Sequence, residues 1–90
     1  MADSDETLEK LFLNAAEKIK NSGKNLDNDM MLKLYGYYKQ GTFGDCNIEC
    51  PSFWQVKEKA KWDAWNQHKG IKKTHGMKKY IKLVEKILSE

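Results

Sequence analysis

Residues 8–19 read Leu8-Glu9-Lys10-Leu11-Phe12-Leu13-Asn14-Ala15-Ala16-Glu17-Lys18-Ile19. Leu8, Leu11, Phe12, Ala15, Ala16 and Ile19 recur at i, i+3, i+4, i+7, i+8 and i+11, which is one continuous helical face. Asn21-Ser22-Gly23 follows with helix-stop chemistry. The same period returns late in the chain, where Met77, Tyr80, Ile81, Val84, Ile87 and Leu88 form a second stripe. Between them, Asp27 is an N-cap for a helix with Asp29 in its first turn and Met31, Leu34, Tyr35 and Tyr38 as its apolar set. Gly41 and Gly44 are expected to end that helix. Ser52-Phe53-Trp54-Gln55 has the pattern of a capping box for a further helix, which is expected to reach about Lys69 and stop at Gly70. No segment reads as a strand. Four amphipathic helices imply an all-α bundle, and residues 1–90 form a single domain of that class.

Composition narrows the function classes. Hydrophobic residues at 40% and charged residues at 32% describe a folded globular chain. No apolar run approaches the roughly 20 residues that span a bilayer, so stable membrane insertion is not expected. Met1-Ala2-Asp3-Ser4-Asp5-Glu6 is acidic and lacks the apolar core of a secretory signal, so a cytoplasmic location is expected. In that compartment Cys46 and Cys50 are expected to be free thiols. Together with His68 and His75 they match no zinc-ligand spacing, and no metal or cofactor is expected. The two histidines have no carboxylate or serine at catalytic spacing, and both are expected to face solvent.

The net charge of +3 hides an asymmetry: residues 1–56 carry six lysines against nine acids, and residues 57–90 carry ten lysines against four. All sixteen basic residues are lysine. Lysine suits phosphate as a point charge but lacks the planar fork that reads guanine.

Two stretches carry the chemistry. The first is Tyr35-Gly36-Tyr37-Tyr38-Lys39-Gln40-Gly41-Thr42-Phe43-Gly44-Asp45. Tyr35, Tyr38 and Lys39 stand at i, i+3 and i+4 and project from one helix face. The second is Lys59-Ala60-Lys61-Trp62-Asp63-Ala64-Trp65-Asn66. Aromatic planes beside fixed ammonium groups suit a flat base carrying phosphates. Taken alone, Tyr-x-x-Tyr-Lys is equally the pattern of core tyrosines beside a solvated lysine. Gly36 sits inside its helix at a cost of about 1 kcal/mol relative to alanine, through either close approach or neutral tolerance.

With their separation, these blocks resemble the signature of the acyl-CoA-binding protein family (diazepam-binding-inhibitor-like). Residues 39–45 are similar to its Lys-Gln-Ala-Thr-x-Gly-Asp, and residues 59–66 match its motif throughout. The resemblance runs from about Leu8 to Leu88. It implies an up-down-down-up four-helix bundle with a long connection between the second and third helices, and therefore a later start for the third. It implies that Tyr35, Lys39 and Lys61 hold the 3′-phosphate of CoA. It further implies that Tyr80 contacts adenine and that Tyr38 lines the same cavity. Phe12, Ala16 and Met31 would border the acyl chain, although the stripe of Phe12 equally predicts core. Trp65 is expected in packing and Trp62 nearer the ligand, while the role of Trp54 stays open. Thr74-His75-Gly76 departs from the family pattern, with Thr74 as a substitute N-cap and Gly76 expected to loosen that helix start.

The function that follows is a monomeric carrier and pool former for long-chain fatty acyl-CoA, not an enzyme. The alternative is a small basic helical nucleic-acid-binding protein, against which stand the missing arginines and the acidic N-terminal half.

Overall fold

The computed structural model describes residues 3–90. It contains four helices: α1 (Asp3–Asn21), α2 (Asn28–Phe43), α3 (Val56–Asn66) and α4 (Lys73–Ser89). No strand occurs among the described residues, and none of their helices is long and apolar enough to cross a membrane.

Several boundaries follow from local chemistry. Asp27 caps α2, its Oδ1 accepting the Met30 N–H at 2.8 Å. Gly44 closes α2, donating its N–H to the Gln40 carbonyl. Gly41 lies inside α2 and does not end it. The capping-box residues form a turn ahead of α3: Gln55 Oε1 accepts the Ser52 N–H, and the Gln55 N–H reaches the Ser52 carbonyl. Only the returning half of the box is made, so α3 starts at Val56. It ends at Asn66 rather than near Lys69, because residues 67–70 tighten into a turn. Thr74 caps nothing: α4 opens one residue before it, and Lys72 at the cap position forms no side-chain bond.

The direction of each helix can be read from side-chain neighbours. Phe12 stacks on Tyr38 near the end of α2, whereas Ile19 shares a groove with Met31 near its start, so α1 and α2 run antiparallel. Trp65 Nε1 donates to the Gly44 carbonyl and Asp45 accepts the Gly70 N–H, so α2 and α3 end together and run parallel. Leu8 neighbours Lys78 while Lys18 neighbours Ser89, so α4 runs with α1. The bundle is therefore up-down-down-up. The connection from Gly44 to Gln55 carries the chain back along α3.

The main core is Phe12, Ala15, Leu34, Tyr80, Val84 and Ile87. It comes from the predicted stripes of α1 and α4 and from the middle of α2. Helix α4 packs on both α1 and α2, and α3 packs on α2. Among the described residues no Cα of α1 comes within 8 Å of one in α2, so these two helices meet only through side chains.

Two glycine positions set the crossings. A Cβ on Gly36 would collide with the Ala64 carbonyl oxygen of α3. A Cβ on Gly76 would lie 2.9 Å from the Gly41 nitrogen and 3.2 Å from the Gln40 carbonyl carbon. Gly76 thus serves the contact of α4 with α2 instead of loosening α4. Beside it, buried Gln40 donates through Nε2 to Asp45 Oδ1 at 3.0 Å and to the Ile71 carbonyl at 2.6 Å. The Gly70 N–H, first, and the Gln40 amide hold the Asp45 carboxyl below the usual carboxylate range. This knot fixes the end of α2 against the α3–α4 turn.

Gly36→Ala tests the first crossing. Alanine gains about 1 kcal/mol of helix propensity, but its methyl group meets backbone that cannot rotate away. We expect a net loss of about 1–3 kcal/mol in urea unfolding. Equal or higher stability would show that α3 does not press on α2 there.

Candidate functional site

Helices α2 and α3 run parallel and touch at Gly36, which brings Lys61 of α3 up to the Tyr35 face of α2. Lys61 Nζ stands 5.7 Å from the centroid of the Tyr35 ring, and Lys39 Nζ stands 5.6 Å from it. Lys39 also lies over Phe43 at 4.9 Å and Trp65 at 5.5 Å. Among the described residues the one ion pair is Lys59 with Asp63. Lys39 and Lys61 therefore carry charge that no carboxylate among the described residues neutralises. Two ammonium groups around one phenol form a receptor for a small, highly charged anion.

From this cluster an apolar groove of about 380 Å³ runs between α1 and α2, with one wall from α4. Ala16, Ile19, Lys20, Met31, Leu34, Tyr35, Tyr38 and Tyr80 line it. It occupies the gap where the α1 and α2 backbones stay apart. Tyr38 lies between Phe12 and Tyr80, with ring centroids 5.4 Å and 5.6 Å away. Phe12 meets Tyr80 edge-on at 5.2 Å. Desolvation, and secondarily Tyr38, pushes the Tyr80 phenol up to about 12, so it stays a protonated donor.

The residues singled out in the sequence divide as follows. Tyr35, Lys39 and Lys61 come together at the cationic end. Tyr38, Tyr80, Ala16 and Met31 border the groove. Phe12 is 2% exposed and stands behind the wall as core. Trp65 is buried, as expected, with its indole N–H on the Gly44 carbonyl. Trp62 is half-buried and donates to the Ile48 carbonyl. Trp54 is 70% exposed on the turn before α3 and is not part of the groove lining.

Sequence reasoning missed Lys20, which lines the groove at its α1 wall. The available signal was position: Lys20 stands one turn beyond Ala16 on the same face. It also misplaced His68, expected in solvent. His68 is buried and stacks on Tyr37 at 4.4 Å, with Nε2 lacking a partner among the described residues. The α3–α4 turn folds it under α2, where it fills space beside Gly36.

Comparison with known proteins shows what the chain is similar to. A family model described as "Acyl CoA binding protein" matches residues 9–84. The acyl-CoA-binding protein of Dictyostelium discoideum is 48% identical over 79 residues, spanning 88% of this chain and 94% of that protein. Acyl-CoA-binding protein homolog 1 of Caenorhabditis elegans is 40% identical over 79 residues, covering 88% of this chain and 92% of its own length. The crystal structure of Oryza sativa acyl-CoA-binding protein 2 superposes with a TM-score of 0.91 at 35% identity, covering 96% of this chain and 94% of that one.

The buried imidazole gives a pH signature. Desolvation holds His68 below its ordinary value of 6.5. The unfolded chain then takes up a proton that the native chain refuses. Stability therefore falls as pH drops through 6.5 and levels once the native imidazole also protonates. We expect urea midpoints to decline as pH falls through 6.5, with the His68 ring signal titrating below that value by NMR. A ring that titrates at or above that value would contradict a neutral buried imidazole.

Proposed function

The chain belongs to the acyl-CoA-binding protein family, and we propose that it binds long-chain fatty acyl-CoA thioesters as an intracellular carrier and pool former. The observation that carries this reading is the junction of two unneutralised lysines with an apolar groove. An acyl-CoA ester has the matching halves: a polyanionic head and a hydrocarbon tail.

In this reading Tyr35, Lys39 and Lys61 clamp the ribose 3′-phosphate. A phosphate monoester brings close to two charges and three acceptor oxygens, and two ammonium groups with one phenol share them. Tyr80 contacts adenine through its exposed rim, since only 4% of the residue is open to solvent. Tyr38 lies between the head group and the tail. The tail follows Ala16 and Met31 along the groove, and each methylene removed from water contributes up to about 0.8 kcal/mol. Lys20 adds a third cation on the same wall.

The protein binds and releases its ligand unchanged, since among the described residues no nucleophile with a base and an orienting group accompanies the groove. It works as a cytoplasmic monomer. A nucleic-acid role is disfavoured by the absence of arginine from the chain.

Calorimetric titration with palmitoyl-CoA below its micelle concentration tests the two-part site. We expect one-to-one binding, with free CoA and palmitate each much weaker. Equal affinity for short-chain and long-chain esters would remove the tail groove from the account. Lys39→Ala and Tyr35→Phe should each weaken binding by about 10- to 100-fold, on the scale of charge-assisted hydrogen bonds, without moving the unfolding midpoint. A Lys39→Ala protein that binds like the wild type would take Lys39 out of the clamp.

A further inference from the structure

Lys39 Nζ sits among three rings: Phe43 at 4.9 Å, Trp65 at 5.5 Å and Tyr35 at 5.6 Å. Tyr35, Lys39 and Phe43 follow one another at intervals of four, so they line one face of α2. Trp65 reaches across from α3. Among the described residues Lys61 has the Tyr35 ring alone beside it. Phe43 is the nearest ring to Lys39 and the one whose place the fold does not otherwise explain. It is a large apolar side chain left 54% exposed at the last position of α2, and it lies outside the core. Position 43 is also the open position of the signature block. Its neighbour Trp65 is fixed, because the indole N–H donates to the carbonyl of Gly44, the residue after Phe43, at 2.8 Å. The Phe43 and Trp65 rings stand 6.0 Å apart at 46°. Together they form a corner that opens on the Lys39 ammonium.

We propose that Phe43 is a positioning residue for the CoA head group: it holds the Lys39 ammonium where the 3′-phosphate binds, and so sets a preference for a 3′-phosphorylated head. A ring attracts an ammonium through its negative face without cancelling its charge. A carboxylate in the same place would also hold the side chain, but it would neutralise the charge that a phosphate needs. The ring engages the cation by its field, so the N–H donors stay available for phosphate oxygens. A free lysine moves over many rotamers and loses that freedom on meeting its ligand. One that is held beforehand loses less. This deepens the carrier reading and rests on it for the identity of the anion, while the cage itself stands on the ring geometry.

Calorimetric titration of Phe43→Leu and Phe43→Tyr with palmitoyl-CoA and with its 3′-dephospho counterpart tests the proposal. Leucine keeps the apolar bulk and removes the ring, whereas tyrosine keeps the ring. The wild type should bind the dephospho ester at least about tenfold more weakly than palmitoyl-CoA. Phe43→Leu should bind palmitoyl-CoA about two- to fivefold more weakly than the wild type, on the scale of an exposed cation–π contact. It should bind the dephospho ester as the wild type does, which narrows the preference and also reports that it is folded. Phe43→Tyr should keep the wild-type preference. A second readout needs no ligand. After reductive methylation of the lysines with isotope-labelled formaldehyde, the Lys39 methyl signal, assigned with Lys39→Arg, should lie upfield in the wild type through the ring currents. In Phe43→Leu it should move toward the exposed lysines. Failure of the wild type to bind either ester would remove the carrier reading, and the head-group preference with it. An equal loss for both esters, an unchanged preference, a Phe43→Tyr protein that behaves like Phe43→Leu, or a Lys39 signal that ignores the loss of the ring would overturn the proposal and leave the carrier reading standing.

Discussion

At Gly36 the backbone of α2 lies directly against the Ala64 carbonyl of α3, with the His68 ring at its flank. Any side chain there would hold the two helices apart. Lys61 sits three residues before Ala64, so the same contact decides how close its ammonium group comes to Tyr35. The proposed clamp would consequently be a property of a helix crossing. Tyr35 and Lys39 are fixed to each other by one helix turn, while Lys61 is brought in by packing. His68 and Tyr37 complete that packing from the side, which places a titratable ring in the support of a site it does not line.

The motif around Lys39 has two separate duties. Lys39 faces the cationic cluster. Gln40, one residue on, turns inward and ties Asp45 and the Ile71 carbonyl into a buried knot. Asp45 in turn holds the Gly70 amide. Side chains bound in this way leave little freedom where α2, α3 and α4 meet, and the lysine is presented from that rigid end. Two like charges within 5.7 Å of one ring centroid repel in the empty protein. In the proposed clamp an arriving dianion would remove that repulsion.

Much of this was legible in the residues. The stripes of α1 and α4 gave the core, Asp27 gave a helix start, and two motif blocks led to Tyr35, Lys39 and Lys61. What escaped the reading depends on tertiary contact. Gly76 looks permissive until a neighbouring backbone is seen against it, and Gly36 stays open between close approach and neutral tolerance until the Ala64 carbonyl is seen beside it. His68 belongs to no periodic pattern, because it lies in a turn whose direction the periodicity does not encode. Lys20 looks like one more solvated lysine on α1 until the gap beside it is known. Thr74 resembles a cap, but the helix starts before it. Each miss is a case in which packing overrides local pattern.

The separation of the α1 and α2 backbones has a bearing on how long the molecule survives. Where other helix pairs interlock, this pair is bridged by side chains across an open slot. An occupant of the slot replaces the contacts that a tighter pair would have made, so it completes the hydrophobic interior from outside the chain. The filled form is then stabilised in proportion to the logarithm of occupant concentration over its dissociation constant. Empty molecules open first and meet proteases first. The abundance of such a protein would therefore follow the supply of what it holds, with no dedicated regulator required.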